Sequence, residues 1–150
     1  MISRTEFRTL AEQRGETCVS LYIPTIRAGS EIQQNPIRLK NRLAEAEDQL
    51  RAAGLDTPEI ASLLQPARQI IDDEVFWQEQ SDGLVLFLAP NLSRAYRLPL
   101  DFESLTVVSD HFHLKPLFPL LMHNGQFYLL TLSQQNIRLF QGSHYSISEV

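Results

Sequence analysis

Cys18-Val19-Ser20-Leu21-Tyr22-Ile23-Pro24 and, across a polar loop over residues 25–34, Asn35-Pro36-Ile37-Arg38-Leu39-Lys40-Asn41-Arg42-Leu43 are the stretches that decide the fold. The first is apolar and rich in β-formers, so Thr17 to Ile23 reads as a buried strand that Pro24 stops. The second changes period. Leu39, Leu43, Ala46 and Leu50 recur at 4-3-4 spacing, which places one apolar stripe along a helix to about Ala53. Asn35 reads as its N-cap and Pro36 as its first helical residue, and Gly54 ends it. A strand followed by an amphipathic helix points to a sheet with helices packed on it.

Working outward, Ser3-Arg4-Thr5-Glu6 has capping-box spacing, with Ile2 and Phe7 as a hydrophobic staple. A short helix is predicted from about Arg4 to Gln13, closed by Gly15. The loop 25–34 contains Gly29 and is long for a plain connection, a property of functional loops. Thr57-Pro58-Glu59 starts another helix by a cap-and-proline device. Pro66 is expected to interrupt it, with Ala67 to Trp77 resuming the pattern. Ser81-Asp82-Gly83 reads as a turn. Strands are then predicted at Leu84–Ala89, Arg94–Leu98 and Leu105–Val108. A short helix is expected over Leu117–Met122 from near Pro116, a turn at Asn124-Gly125, and strands at Phe127–Leu132, Ile137–Phe140 and Tyr145–Ile147. The predicted class is α/β, with α+β as the variant: a mixed β-sheet with packed helices, then a hairpin-rich segment that begins a second domain. The seam lies near His113–Pro116, giving domains over 1–114 and 115–150; the second is too short to close a core alone.

The chain of 150 residues carries a net charge of -5. The charge is uneven: residues 1–51 hold eight Lys/Arg against seven Asp/Glu, whereas residues 52–150 hold five against eleven. A near-neutral first third is no basic footprint, so any nucleic-acid contact must be local. The single cysteine, Cys18, excludes an internal disulfide and the usual cysteine zinc site. No apolar run of signal-peptide length follows Met1, and none reaches the roughly 18 residues of a membrane span, so the expected compartment is the cytoplasm.

Phosphate-loop, zinc-protease, nucleophile-elbow and dinucleotide motifs are missing from the sequence. What remains is the basic start of the second helix, where three cations precede the first acid. At about 100° per residue Arg38 and Arg42 share one flank, followed there by Glu45 and Gln49. Lys40 falls on the other flank, near Glu47 and Arg51. Arg38 and Arg42, with Arg27 from the loop and Asn35 at the helix start, are therefore the candidate phosphate-binding set; a solvated helix face is the competing reading. His111 and His113 would share one side of a strand, but no third ligand accompanies them, and neither a metal nor a cofactor is expected. Asp72-Asp73-Glu74 is an acidic run that Arg68, four residues before Asp72, would partly neutralise. Phe76-Trp77 reads as core, and Cys18 as a small buried residue.

The ordered set Val19–Pro24, Asn35–Leu43, Asp82-Gly83-Leu84-Val85-Leu86-Phe87, Phe112-His113-Leu114-Lys115-Pro116-Leu117, Phe127–Ser133 and Arg138-Leu139-Phe140-Gln141-Gly142 spans nearly the whole chain. It resembles the bacterial branch of the archaeal and eukaryotic peptide-chain release factor superfamily, which includes the ribosome-rescue factor Pelota. The resemblance implies an N-terminal α/β domain that reaches toward the decoding centre, followed by the opening hairpins of a central domain. Termination factors of that superfamily carry Asn-Ile-Lys-Ser; Asn35-Pro36-Ile37-Arg38 matches it only in part, and no serine follows. The Tyr-x-Cys-x-x-x-Phe element has no counterpart in Leu84–Pro90. Gly-Gly-Gln is absent as well, since Asn124-Gly125-Gln126 reads as a turn. The resemblance thus implies a non-catalytic ribosome- or RNA-associated factor in rescue, quality control or dormancy, without stop-codon reading or peptide release. Two alternatives stand beside it. One is a protein-interaction module that self-associates through exposed strand edges; the other is a hydrolytic enzyme using Asp72, Asp73 and His113.

Overall fold

The computed structural model describes residues 2–121, 127–133, 136–142 and 147–150. The chain divides into two compact units, Met1–Phe112 and His113–Val150.

The first unit opens with α1 (Arg4–Glu12), whose capping box forms as the sequence requires: Ser3 Oγ accepts from the Glu6 amide and Glu6 accepts from the Ser3 amide. β1 (Arg14–Pro24) follows directly and is longer than predicted. Gly15, expected to close the helix, lies in this strand with φ of 82°, next to the register shift between Arg14 and Cys18. A 3-10 turn (Ser30–Gln33) occupies the end of the loop and runs into α2 (Gln34–Ala52). Asn35 is therefore inside the first turn of α2 rather than its cap. The preceding 3-10 turn extends the helical backbone past the position where the sequence signal placed the start.

α3 (Thr57–Ile71) is capped by Asp56, which accepts from the Glu59 amide. Pro66 does not interrupt it. The helix continues to Ile71 and breaks instead at Asp72-Asp73, where Asp73 caps the short α4 (Glu74–Gln78). The carbonyl that a residue-66 amide would have met belongs to Ser62, an exposed residue, so the missing hydrogen bond falls on the wet side of the helix.

β2 (Gly83–Ala89), β3 (Leu92–Leu98) and β4 (Leu105–His111) complete a sheet of order β3-β2-β1-β4. The expected α/β arrangement of sheet and packed helices is present. All three pairings are antiparallel, so the sheet does not mix directions. Val19, Leu21 and Ile23 of β1 and Leu84, Leu86 and Leu88 of β2 face α2 and α3, meeting Leu39, Leu43, Ala46 and Leu50 of one helix and Ile60, Leu64 and Ala67 of the other. The opposite face is aromatic: Tyr22 stands edge-on to Phe87 and Phe102, and Phe87 packs on Tyr96 and Phe112. Every residue of β2 is buried, which is why its sequence runs apolar without alternation. Gly83 is glycine for a steric reason: a Cβ there would run into the Leu100 carbonyl and the Phe102 ring.

The second unit holds a 3-10 turn (Lys115–Leu117), a single turn of helix α5 (Phe118–Leu121) and a three-stranded antiparallel sheet. Its strands are β5 (Phe127–Leu132), β6 (Ile137–Gly142) and β7 (Ile147–Glu149), in that spatial order. Arg138 on β6 makes a bidentate bridge to Glu149 on β7, at 3.1 and 2.8 Å. The Asn124-Gly125 turn, Gln126, the end of the predicted helix at Met122, and Tyr145 lie outside the described residues.

Candidate functional site: a polar corner at the start of helix α2

β1 ends at Pro24 opposite Gly83, so the loop leaving β1 lies beside the Ser81-Asp82 turn that enters β2. That proximity fixes the next contacts. The Thr25 amide donates to the Asp82 carbonyl at 2.9 Å, and Thr25 Oγ1 donates to the Ser81 carbonyl at 2.7 Å. Arg27 then forks onto the Asp82 carboxylate through Nε at 2.8 Å and Nη2 at 3.0 Å. The hydrogen bond and the charge of Asp82 raise the Arg27 guanidinium above its ordinary value.

α2 closes the corner from the other side. Asn35 is fully buried, and its amide spans the backbone of one residue: Oδ1 accepts from the Ile26 amide and Nδ2 donates to the Ile26 carbonyl, both at 2.9 Å. One turn later Arg38 Nη1 donates to the Pro24 carbonyl at 3.1 Å, and Nη2 reaches Gln34. Arg42 turns instead to Glu45 on its own helix. Two side chains of α2 therefore hold the main chain at residues 24 and 26, while the β2 turn holds Thr25 through its carbonyls and the Arg27 side chain through the Asp82 carboxylate.

The four residues expected to bind phosphate thus have other duties. Asn35 is removed from that set, because it has no exposed surface and both ends of its amide are satisfied within the chain. Arg27 and Arg42 are each paired with a carboxylate, and Arg38 braces the strand end. The structure brings Arg27, Asn35 and Arg38 to one corner but leaves Arg42 with Glu45 beyond it. Sequence reasoning gave Lys40 to a flank shared with Glu47 and Arg51. In the structure Glu47 accepts from Arg51 and Arg68, and Lys40 is exposed with no ion pair among the described residues. Ile37, 58% exposed beside it, is the other residue the sequence reading passed over. Its signal was available: it falls off the Leu39–Leu43–Ala46–Leu50 stripe and so faces water.

The remaining candidates resolve simply. Arg68 reaches Glu47 on α2 rather than serving Asp72, and Asp73 is an N-cap that accepts from the Phe76 amide. His111 Nδ1 takes both Asp110 and Ser109, so the neighbouring hydroxyl and carboxylate compete for one ring nitrogen instead of lining up as a relay. Among the described residues no three His, Cys, Asp or Glu side chains gather as a metal site, and no helix is long and apolar enough to cross a membrane. Trp77 is core, donating to the Ile70 carbonyl, while Phe76 carries the Arg97 guanidinium on its ring at 4.3 Å. Cys18 is buried and burial pushes its thiol up to about 11, which makes it a poor nucleophile. Known families and curated proteins give no match to this chain.

Proposed function

We propose that this chain is a non-catalytic binding domain, related to the release-factor-like superfamily, that associates with the ribosome or with structured RNA. The family part of the reading is supported by the ordered segments from Val19 to Gly142 described above. The observation that carries the binding part is the corner itself. Contacts from Asn35, Arg38 and Asp82 fix the exit of β1 and the start of α2, while Lys40 and Ile37 stand exposed on the first turns of that helix. A surface residue held on a stiff support recognises a partner at low ordering cost. In this reading Arg38 and Asn35 are supports, and the contacting groups are Lys40, Ile37 and the solvent side of Arg27.

The test is co-sedimentation with ribosomes over a salt series. Lys40→Glu combined with Ile37→Asp is expected to abolish pelleting and leave the thermal midpoint unchanged, because neither side chain packs. Wild-type pelleting should fall as salt rises, as phosphate contacts require. Full pelleting of the double variant, or wild-type pelleting indifferent to salt, would overturn the reading.

A further inference from the structure

At the end of the sheet opposite the corner, the connection between α2 and α3 stands away from the β2–β3 hairpin and leaves a cleft of about 430 Å³. Leu55, Leu63, Pro58 and Pro90 supply its apolar lining, with Thr17, Glu59 and Ser62 among them. The Leu55 amide donates to the Leu50 carbonyl, and Gly54 sits at φ of 96°, so the chain turns sharply into α3 with one side chain directed to the cleft rather than a mobile loop across it. Both prolines have fixed φ, which keeps two of the walls rigid. Volume and lining match a site for a small organic molecule: mostly apolar, with a few polar groups to orient what enters.

The polar groups give the ligand's sign. Thr17, Glu59 and Ser62 make no side-chain hydrogen bond or ion pair among the described residues, although each borders the cleft. Asp56 spends its carboxylate on the Glu59 amide, which satisfies the α3 N-terminus and leaves the Glu59 carboxylate free. Glu16 and Asp56, both exposed, add negative charge to the two elements that border the cleft. An anion would meet these carboxylates, and no Lys or Arg is among the residues that line the cleft. A cationic nitrogen would find one acceptor carboxylate and two hydroxyl oxygens at the edge of an apolar floor.

We infer that this cleft binds a small organic cation, an ammonium group on an apolar body of about ten heavy atoms. The ammonium sits on Glu59, with Thr17 and Ser62 accepting its remaining protons, and the body lies against Leu55, Leu63, Pro58 and Pro90. The proposal is independent of any ribosome contact, since it uses the other end of the sheet.

Titration with 2-phenylethylammonium, followed by methyl NMR of the full chain, tests it. Saturable shifts of the Leu55 and Leu63 methyls are expected. The uncharged isostere 2-phenylethanol should bind roughly tenfold more weakly, and Glu59→Gln should weaken the ammonium by a similar factor while leaving the alcohol unaffected. Glu59→Gln keeps shape and sits on the surface, so its fold is checked by unshifted core methyls. No saturation by 10 mM, taken here as an order-of-magnitude ceiling (~10 mM) for a ligand this small, would overturn the inference. So would equal binding of amine and alcohol, which would make the cleft a mere greasy surface.

Discussion

Asn35 shows how one side chain can be read correctly in kind and wrongly in use. Its neighbours, a polar loop before and a proline after, are those of an exposed cap, yet the side chain is fully buried and holds the amide and carbonyl of Ile26. Both Ile26 groups lie in a loop with no strand or helix partner, so the asparagine stands in for a missing piece of secondary structure. Removing it leaves a part-buried backbone donor and acceptor without their partners. Asn35→Ala should therefore cost about 1–3 kcal/mol in denaturant unfolding, and Asn35→Asp at least as much, because aspartate keeps the acceptor, loses the donor and buries a charge. A cost under about 0.5 kcal/mol, the range of ordinary surface changes, would mean that Arg27, Thr25 and Arg38 hold the loop without it.

At the scale of elements, Pro66 is the informative case. A proline within a helix costs about 3 kcal/mol against alanine, through a lost hydrogen bond and a ring clash with the preceding turn. α3 nevertheless runs through it, because Ile60, Leu63, Leu64 and Ala67 on either side all bury against the sheet and α2. Pro66→Ala should restore the amide and raise stability by about 1 kcal/mol or more, read from the thermal midpoint; a lower midpoint would show that the half-buried ring packs well enough to offset the backbone penalty. The same contest explains what the sequence could reveal. Leu39, Leu43, Ala46 and Leu50 announced α2 because burial repeats with the helical period, and the unbroken run Leu84–Ala89 announced a strand, which the structure buries along its whole length. Pro66 misled because a local rule lost to tertiary packing. The corner was invisible for a different reason: Arg27 meets Asp82 across 55 positions, and no periodicity encodes a pairing that depends on β1 lying beside β2. The loop cation Arg27 therefore looked free although its acid, Asp82, lay on the β2 turn, whereas Arg42 of the helix found its acid, Glu45, one turn further on.

The whole molecule divides unequally in its capacity to stand alone. The first unit has two covered sheet faces: an aliphatic core against α2 and α3 with Trp77 at its edge, and an aromatic layer of Tyr22, Phe87, Tyr96 and Phe102. The three-stranded sheet of the second unit carries Leu129, Leu132 and Ile147 largely exposed and is held by short ladders and the Arg138–Glu149 bridge. An exposed ion pair adds little, and three short strands need a covered apolar face to persist. A fragment of residues 1–121, which removes β5 to β7 and keeps every buried residue before them, is thus expected to fold by itself. Its unfolding should be a single cooperative transition by Trp77 fluorescence, with a midpoint within a few degrees (about 5 °C, the shift that roughly 1 kcal/mol produces in a domain of this size) of the full chain. Proteolysis of the full chain should trim the strand-rich end first and leave a resistant core of that length, since resistance follows burial and backbone hydrogen bonding. A fragment that is unfolded or aggregated, or a full chain degraded without a stable intermediate, would show that the four-stranded sheet depends on the strands that follow it.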